Sequence, residues 1–352
     1  MLHPNTKPRE DGYFFPAEFA PHTATWLSWP HKEASWPGKI ESIYPAYCRF
    51  IYYLTLSEQV CINVVDPAMQ TFAEQELEKA GVDRSKVQFF LHPTNDAWCR
   101  DHGPAFLIHQ REKGREKRIV DWGYNAWGNK YPPYEQDDVI PSLIGQALQL
   151  PVYHPGIIME GGSVEFNGNG TILSSRACLL HPNRNPHLSQ QDIEQYLLDY
   201  YGAEQVLWVS EGIVGDDTDG HIDDTVRFVQ EDTVLTVVEE NRLDDNYDLL
   251  QTNLRELEAM RLKDGRSLRI IPLPMPDPVV YEDQRLPASY ANFYISNGHV
   301  IVPTYRCAKD EKALSIIAQC FPGRETVGID STDIIWGLGS FHCLSQQEPF
   351  AP

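Results

Sequence analysis

In HIDDTVRFVQEDTVLTVV, residues 221–238, a polar motif opens one strand, a short turn follows and a second strand closes the segment. The same arrangement returns in RDHGPAFLIHQ (100–110), EGGSVEFNGNGTILS (160–174) and YANFYISNGHVIVP (290–303). Asn-Gly in the turns of two of these segments is a strong hairpin signal. The sequence therefore predicts a series of β-hairpins, each of which begins with a polar motif.

Amphipathic stretches lie between the hairpins. In residues 246–260 the apolar side chains recur at helical spacing, and two aspartates precede them, as is typical of a helix N-terminus. The six stretches with this character predict helices at about 39–58, 67–80, 137–149, 189–202, 244–261 and 310–320. Short β-rich runs near residues 87, 205, 269 and 326 follow helices, which completes a strand–strand–helix–strand unit.

These units recur along the whole chain. Their opening residues are about 53–69 residues apart and are Asp101, Glu160, His221, Tyr290 and Cys343. Five such units account for nearly all of residues 1–352 and predict a single α/β domain built as a closed, propeller-like ring. The last unit would need the N-terminal segment PHTATWLSWP (21–30) to complete it. A doubly wound sheet is the alternative, but it predicts one strand per helix rather than three.

The composition limits the class of partner. The chain has 29 Lys and Arg against 50 Asp and Glu, a formal net charge of −21. Nucleic acid and anionic membranes need clustered cations, so neither is expected as a partner, whereas a cationic ligand fits. No apolar stretch approaches the 18 residues of a membrane span. The charged stretch 109–118 is expected to be a solvated hairpin loop.

The location is expected to be cytoplasmic. The first thirty residues carry charges and prolines where a signal peptide needs an apolar region. The seven cysteines are odd in number, and no pair has the C-x-x-C spacing, which favours reduced thiols over a disulfide framework or a zinc knuckle.

If the units converge on an axis, their opening residues converge as well. Asp101, Glu160, His221 and Cys343 would then share one pocket, and Asp223 would join them because residues i and i+2 of a strand face the same side. Buried carboxylates need partners, so three of them beside a thiol and an imidazole are unusual in a structural core. The group predicts a functional site.

The chemistry of this group favours a guanidinium ligand, whose planar donors match carboxylates. Its carbon is a poor electrophile, and the thiolate of Cys343 is the strongest nucleophile among side chains. A bound cation would itself favour the thiolate. His221 would protonate the departing ammonia and later take a proton from water. Taken singly, each residue also fits a structural role. His342, next to Cys343, is expected to be structural because neighbouring strand residues point to opposite faces.

At this point the sequence resembles the agmatine deiminase (agmatine iminohydrolase) family, related to the bacterial-type peptidylarginine deiminases of the guanidine-modifying superfamily. The matching motifs run through nearly the whole chain and are FPAEFAPHTATWLSWP, NDAWCRDHGP, YNAWG, MEGGSVEFNGNGT, LLHPNRNP, GDDTDGHIDD, LPMP, ASYANFYISNGHVIVP and FHCLSQQEP. The resemblance implies a five-bladed α/β propeller with pseudo-fivefold symmetry, and it makes a homo-oligomer plausible. It implies no metal and no organic cofactor.

The resemblance also implies roles for the site residues. Cys343 would be the nucleophile that forms a covalent amidino intermediate, His221 the general acid and base, and Asp101, Glu160 and Asp223 the acidic positions. The chain departs from the family in the loop 336–341, where a glycine run is usual. It departs again at Asp224, where asparagine is common.

The leading expectation is hydrolysis of agmatine to N-carbamoylputrescine and ammonia, a step in putrescine biosynthesis. The far end of agmatine is an ammonium, which acids and aromatic faces bind, and the motifs offer Asp217, Trp29, Trp98 and Trp127. Free arginine or arginine in peptides is an alternative, although a carboxylate would call for an arginine clamp. Transfer of the amidino group to an amine is a second alternative. A non-catalytic acidic propeller that binds cationic peptides is a third, from another class.

Overall fold

The computed structural model describes residues 6–109 and 116–351, which form a mixed α/β fold. The centre of the charged stretch 109–118, residues 110–115, lies outside this part of the chain. Within the described residues, no helix is long and apolar enough to cross a membrane. All seven cysteines are free thiols.

The helices include all six amphipathic stretches. One begins with a capping box, in which Ser189 and Asp192 each bond the other's backbone N–H. In chain order the helices are α1 (Ile40–Thr55), α2 (Pro67–Lys79), α3 (Cys99–His102), α4 (Ala126–Asn129), α5 (Glu135–Asp138), α6 (Ile140–Leu148), α7 (Arg176–Leu179), α8 (Gln190–Tyr201), α9 (Asn246–Ala259) and α10 (Asp310–Cys320). The predicted helices correspond to α1, α2, α6, α8, α9 and α10, so these predictions are confirmed.

The strands are short, and most are two to six residues long. In chain order they are β1 (Tyr13–Phe14), β2 (His22–Ser28), β3 (Gln59–Val64), β4 (Val87–Leu91), β5 (Ala105–His109), β6 (Lys117–Val120), β7 (Val152–Tyr153), β8 (Val164–Phe166), β9 (Thr171–Ser175), β10 (Gln205–Val209), β11 (Val226–Gln230), β12 (Thr233–Val238), β13 (Arg269–Pro274), β14 (Val280–Tyr281), β15 (Gln284–Arg285), β16 (Tyr294–Ile295), β17 (His299–Thr304), β18 (Glu325–Asp330) and β19 (Ser345–Pro349).

Five sheets repeat one topology. In each, a first strand pairs antiparallel with a second, and a helix connects the second to a third that runs parallel to it. The five sets are β5-β6-β7, β8-β9-β10, β11-β12-β13, β16-β17-β18 and β19-β2-β3. The helices in the five connections are α6, α8, α9, α10 and α1. The predicted strand–strand–helix–strand unit is confirmed, and a doubly wound sheet does not account for the antiparallel pairs.

The two ends of the chain share one of these sheets. Strand β19 pairs antiparallel with β2, with Ser345 opposite Leu27, and β2 pairs in parallel with β3. The segment 21–30 therefore completes the last unit, as the sequence predicted. Two sheets carry an additional strand: β1 pairs antiparallel with β5, and β4 lies parallel to β3.

Candidate active site

A cavity of about 210 Å³ opens beside Cys343. Three aspartates and several aromatic rings form its wall, and among the described residues that line it there is no lysine or arginine. The acidic and aromatic residues of the wall are Asp96, Asp101, Asp217, Trp98, Trp127, Tyr131, Tyr281 and Trp336. This wall is negatively charged and aromatic, which suits an organic cation.

Four of the five opening residues lie in, or immediately before, a short turn that precedes the first strand of a unit. Asp101 belongs to α3, Glu160 precedes a 3₁₀ turn at Gly161–Ser163, and His221 precedes another at Ile222–Asp224. Cys343 lies in the turn before β19. All four are buried. Four of the five units thus place a candidate site residue immediately before the first strand.

The sequence analysis used strand alternation for two pairs, His221 with Asp223 and His342 with Cys343. Both arguments were wrong, because neither pair lies on a strand. Residues 222–224 form a 3₁₀ turn, and residues 341–344 form a turn as well. The structure still brings His221 and Asp223 into one buried group. It also brings His342 into direct contact with Asp223, which strand alternation would have prevented.

Asp101 links three parts of the site. Its Oδ1 accepts a hydrogen bond from the Gly162 backbone N–H at 2.9 Å and lies 3.7 Å from Nδ1 of His221. Its Oδ2 accepts from Nε1 of Trp127 at 3.0 Å. A Cβ on Gly162 would lie 2.5 Å from Nδ1 of His221 and 2.8 Å from Oδ1 of Asp101, so only glycine permits this approach.

Glu160 supports His221 from behind. Its Oε1 accepts from Nε of Arg184 at 2.7 Å, and Arg184 also binds Asp219. A carboxylate oxygen of Glu160, Sγ of Cys178 and a ring nitrogen of His221 lie within 4.8 Å of one another. Glu160 is not among the residues that line the cavity, and its carboxylate lies beside His221. Arg184 and Asp219, from the LLHPNRNP and GDDTDGHIDD motifs, were not identified from the sequence.

Asn292 holds the sulfur of Cys343. Its Nδ2 donates to Sγ of Cys343 and to Oδ1 of Asp224, both at 2.9 Å. Its Oδ1 accepts from the backbone N–H groups of His342 and Cys343 at 3.1 and 3.3 Å, which fixes the orientation of the amide. Tyr290, the opening residue of that unit, instead donates to Asp310. The available signal was position: Asn292 follows Tyr290 by two residues, as Asp223 follows His221.

His342 bridges two carboxylates. Its Nδ1 lies 2.7 Å from Oδ2 of Asp223, and its Nε2 lies 2.7 Å from Oε2 of Glu18. The same Oδ2 of Asp223 lies 3.7 Å from Sγ of Cys343. The structural role predicted for His342 stays a prediction, although its neighbours place it closer to the site than the sequence indicated.

Burial and like charges set the protonation of the site. Burial, with the charges of Asp223, Asp224 and Asp101, raises the pKa of the Cys343 thiol well above its usual value. Burial also raises the pKa of Asp101 to about 6, against the opposing charge of His221. Burial disfavours the charged form of His221, but Asp101 and Cys178 outweigh it and raise the His221 pKa well above its usual value. The resting site therefore holds a protonated thiol and an imidazolium.

Four residues were predicted to bind the ammonium end, or tail, of the substrate, and three of them line the cavity. Trp98, Trp127 and Asp217 lie on its wall, and the Asp217 side chain is 46% exposed at the rim. Asp217 accepts from the Tyr131 hydroxyl, and Nζ of Lys130 lies 3.7 Å from its Oδ1. The rim acid therefore already has a positively charged neighbour.

Trp29 does not line the cavity. It is fully buried in the core and stacks on Tyr44 with ring centroids 5.6 Å apart. Trp29 directly follows β2 and packs against Tyr44 and Tyr47 of α1, which places it in the core. Asp96 lines the cavity instead and was not identified from the sequence; its Oδ2 accepts from Oγ of Ser35 at 2.6 Å.

The loop 336–341 forms part of the cavity wall. A Cβ on Gly339 would lie 2.5 Å from the Trp98 ring and 3.0 Å from Cβ of Cys343, so glycine is required there. Leu338, at φ +69°, takes the left-handed conformation that glycine would adopt more easily.

Two buried groups have the ligand types that hold a metal: Glu160 with Cys178 and His221, and Asp223 with Asp224 and Cys343. In the first group Arg184 already neutralises Glu160. Both groups contain side chains that guanidinium chemistry would use directly.

Comparison with known proteins agrees with this geometry. The family described as Porphyromonas-type peptidyl-arginine deiminase matches residues 14–349. The agmatine deiminase of Ectopseudomonas mendocina is 34% identical, and the match covers 98% of this chain and 97% of that protein. The structure of the Enterococcus faecalis agmatine deiminase superposes with a TM-score of 0.92 at 30% identity and covers 99% of both chains. That of the C. jejuni agmatine deiminase with substrate bound gives 0.86 at 31% identity over 97% of both chains. The chain therefore belongs to the agmatine deiminase family, within the Porphyromonas-type peptidyl-arginine deiminases.

Proposed function

We propose that this protein hydrolyses agmatine to N-carbamoylputrescine and ammonia, as a step in putrescine biosynthesis. The observation that carries the proposal is the convergence of Asp101, His221, Asp223 and Cys343 from three repeat units in one buried group, of which Asp101 and Cys343 line the negatively charged cavity. The names of the relatives agree with this substrate.

In the proposed reaction, Asp101 and Asp223 bind the guanidinium by charge-assisted hydrogen bonds and turn its carbon toward Sγ of Cys343. The cation offsets the carboxylates that keep the thiol protonated, so binding itself favours loss of the thiol proton to solvent and leaves the thiolate. The sulfur forms a bond to the guanidinium carbon. His221 gives its proton to the amino group, which leaves as ammonia when the C–N bond breaks.

The second half of the reaction releases the enzyme. The first half leaves an amidino group bonded to Sγ of Cys343 and an imidazole at His221. Water loses a proton to His221 and adds to the same carbon. The C–S bond then breaks as the carbonyl forms, and the proton left on the former water oxygen passes to the sulfur, which restores the thiol and the imidazolium of the resting site. Glu160 and Arg184 keep His221 in place through both steps.

The cavity wall favours agmatine over arginine. The far end of agmatine is an ammonium, which Asp217, Asp96 and the faces of Trp98 and Trp127 suit. The carboxylate of arginine would meet these acids, and no lysine or arginine lines the described wall. Free arginine and peptidyl-arginine remain the second candidates because the matching family is described by the latter substrate.

The test compares agmatine, arginine and a blocked arginine peptide by ammonia release from the purified protein. We expect agmatine to have the largest kcat/KM. Cys343→Ser should lose roughly 10⁴-fold or more of the activity because an alcohol is a much weaker nucleophile than a thiolate. Intact mass spectrometry during turnover should place an amidino adduct on Cys343.

The matched control is Cys320→Ser. Cys320 ends α10 and donates to the carbonyl of Ile316, a bond that serine keeps in a helix. A larger kcat/KM for arginine or the peptide would replace agmatine as the substrate while leaving the catalytic residues unchanged. Transfer of the amidino group to an added amine would indicate an amidinotransferase. Absence of turnover with all guanidines would favour a non-catalytic acidic propeller that binds cationic peptides.

We also infer that the five repeat units close into a five-bladed α/β propeller that forms a single catalytic domain. The pairing of β19 with β2 supports this closure, since it links the last unit to the first. A cytoplasmic location, a homo-oligomeric state, and the absence of nucleic-acid and membrane partners stay predictions from the sequence.

A further inference from the structure

A cluster of buried ionic side chains lies behind the cavity. Glu18, from the N-terminal segment, is its centre: Oε2 accepts from Nε2 of His342 at 2.7 Å and from Nη2 of Arg100 at 3.2 Å. Oε1 accepts from the Ile295 backbone N–H at 2.8 Å and lies 3.0 Å from Nη2 of Arg227. Burial opposes its ionisation, but Arg227 and His342 outweigh it and hold the pKa of Glu18 well below its usual range. Glu18 is therefore a carboxylate.

The second partner of His342 is a carboxylate too. Burial disfavours ionisation of Asp223, yet the bond from His342 and the charges of His342, His221 and Arg227 lower the Asp223 pKa. A carboxylate oxygen accepts hydrogen bonds and donates none. With an accepting oxygen 2.7 Å from each ring nitrogen, both nitrogens of His342 must donate.

We propose that His342 is an imidazolium that acts as a positioning residue: it holds Asp223 ionised and fixes Oδ2, so that Oδ1 is available to the guanidinium. This inference rests on the proposed function and adds to it a residue that neither touches the substrate nor exchanges a proton in the reaction. Oδ1 of Asp223 is buried and has no hydrogen-bond partner in the described part of the chain. Such an atom is costly unless a donor reaches it, and a guanidinium N–H is such a donor.

The two histidines of the site, His221 and His342, therefore have different roles. Both ring nitrogens of His221 are buried without a partner that meets hydrogen-bond geometry among the described residues, so His221 can exchange protons. Both nitrogens of His342 are occupied by carboxylates. A histidine that gave up either proton would turn a carboxylate oxygen toward a nitrogen lone pair, which is unfavourable at 2.7 Å.

Charge balance supports the imidazolium. The buried groups around it comprise three carboxylates and, with His342 protonated, three cations, namely Glu18, Glu165, Asp223, Arg100, Arg227 and His342. A neutral His342 would leave one negative charge uncompensated in the protein interior. The other titratable groups that face Asp223 are Cys343, Asp224, His221 and Asp101.

The decisive variant is His342→Gln, which replaces the ring by an amide and so removes the charge and one of the two donor nitrogens. Asp223 then loses the bond that holds its Oδ2 in place. We expect KM for agmatine to rise about tenfold or more, with a smaller change in kcat, because substrate binding loses an oriented carboxylate. The control is His299→Gln on β17, a buried histidine whose Nε2 lies 3.7 Å from Glu325 and which is outside the site.

The double variant Glu18→Gln/His342→Gln restores the charge balance of the cluster and guards against misfolding. We expect it to regain thermal stability but to keep the raised KM, since Asp223 still lacks its partner. Recovery of the native KM would show that His342 serves only charge balance and would overturn the proposal.

Nitrogen-15 NMR of the histidine rings tests the protonation without any substrate. We expect a doubly protonated histidine ring at neutral pH, in addition to that of His221, which is absent from His342→Gln and present in His299→Gln. A single proton on the His342 ring would overturn the proposal. Because this result does not depend on turnover, it separates failure of this inference from failure of the proposed substrate, which the assays with arginine and peptide would reveal.

Discussion

The floor and the rim of the cavity are built in different ways. The floor, formed by Asp101 and Cys343 with His221 and Asp223 beside them, comes from the turns that open the repeat units, and all of these side chains are buried. The rim, formed by Asp217, Tyr131 and Trp336, comes from connecting loops and is partly exposed. A repeat fixes what it presents at equivalent positions, whereas loops outside it are free to differ. We therefore expect chemistry to depend on the floor and substrate choice on the rim.

The largest effect is expected on the floor. Asp101→Asn keeps the acceptor for Gly162 but removes the charge that pairs with the guanidinium and with His221. We expect kcat/KM for agmatine to fall roughly 10²–10³-fold, comparable to the loss of one preorganised electrostatic contact. Steady-state ammonia release measures it. A loss of less than fivefold would mean that the floor does not carry the chemistry, and an unchanged melting temperature would show that the fold is intact.

Trp127 joins the floor to the rim, since its ring lines the cavity and its Nε1 donates to Asp101. Asp101 must be ionised to bind a cation, and its pKa is about 6, so kcat/KM should fall as pH drops below about 6. The bond from Trp127 lowers that pKa, so Trp127→Phe should move the acid limb to higher pH and lower kcat/KM about tenfold near neutral pH. The kcat/KM profile from pH 5 to pH 9 measures both effects. An acid limb that stays in place would show that Asp101 does not control it.

How far the sequence could predict this molecule depends on the distance over which each feature is set. The repeat units were predictable because hairpins and amphipathic helices are local patterns, and the spacing of the opening residues then brought Asp101, His221 and Cys343 together. The contact between His342 and Glu18 joins residues 324 positions apart, and no periodicity indicates it. Asn292 was missed although it follows Tyr290 by two residues, because only the conformation of the turn decides that Asn292 rather than Tyr290 faces Cys343.

A smaller effect is expected at the rim. Asp217→Asn keeps the size of the side chain and removes a charge that is partly exposed and 3.7 Å from Lys130. The pairing with Lys130 and the exposure both reduce its attraction for an ammonium, so we expect kcat/KM for agmatine to fall about fivefold, at the low end for a charged contact. An uncharged alkylguanidine should be scarcely affected, and this substrate is the internal control. Equal losses for both substrates would mean that Asp217 acts on the floor through Lys130 and Asp219 rather than on the tail.

The smallest effect on activity is expected at Trp29, although it is one of the largest fully buried side chains. Its Nε1 has no hydrogen-bond partner within the described residues, so phenylalanine removes no bond and only reduces packing against Tyr44 and Tyr47. We expect Trp29→Phe to destabilise the fold by about 1–2 kcal/mol and to leave kcat/KM within about twofold.

Trp98→Phe is the matched variant, because Trp98 is also buried but lines the cavity and contacts Gly339. It should raise KM for agmatine while costing similar stability. Thermal unfolding and steady-state kinetics on both variants separate the two roles. If Trp29→Phe raised KM as much as Trp98→Phe did, the cavity would depend on the packing of β2 beneath it, and the division between a core tryptophan and a cavity tryptophan would fail.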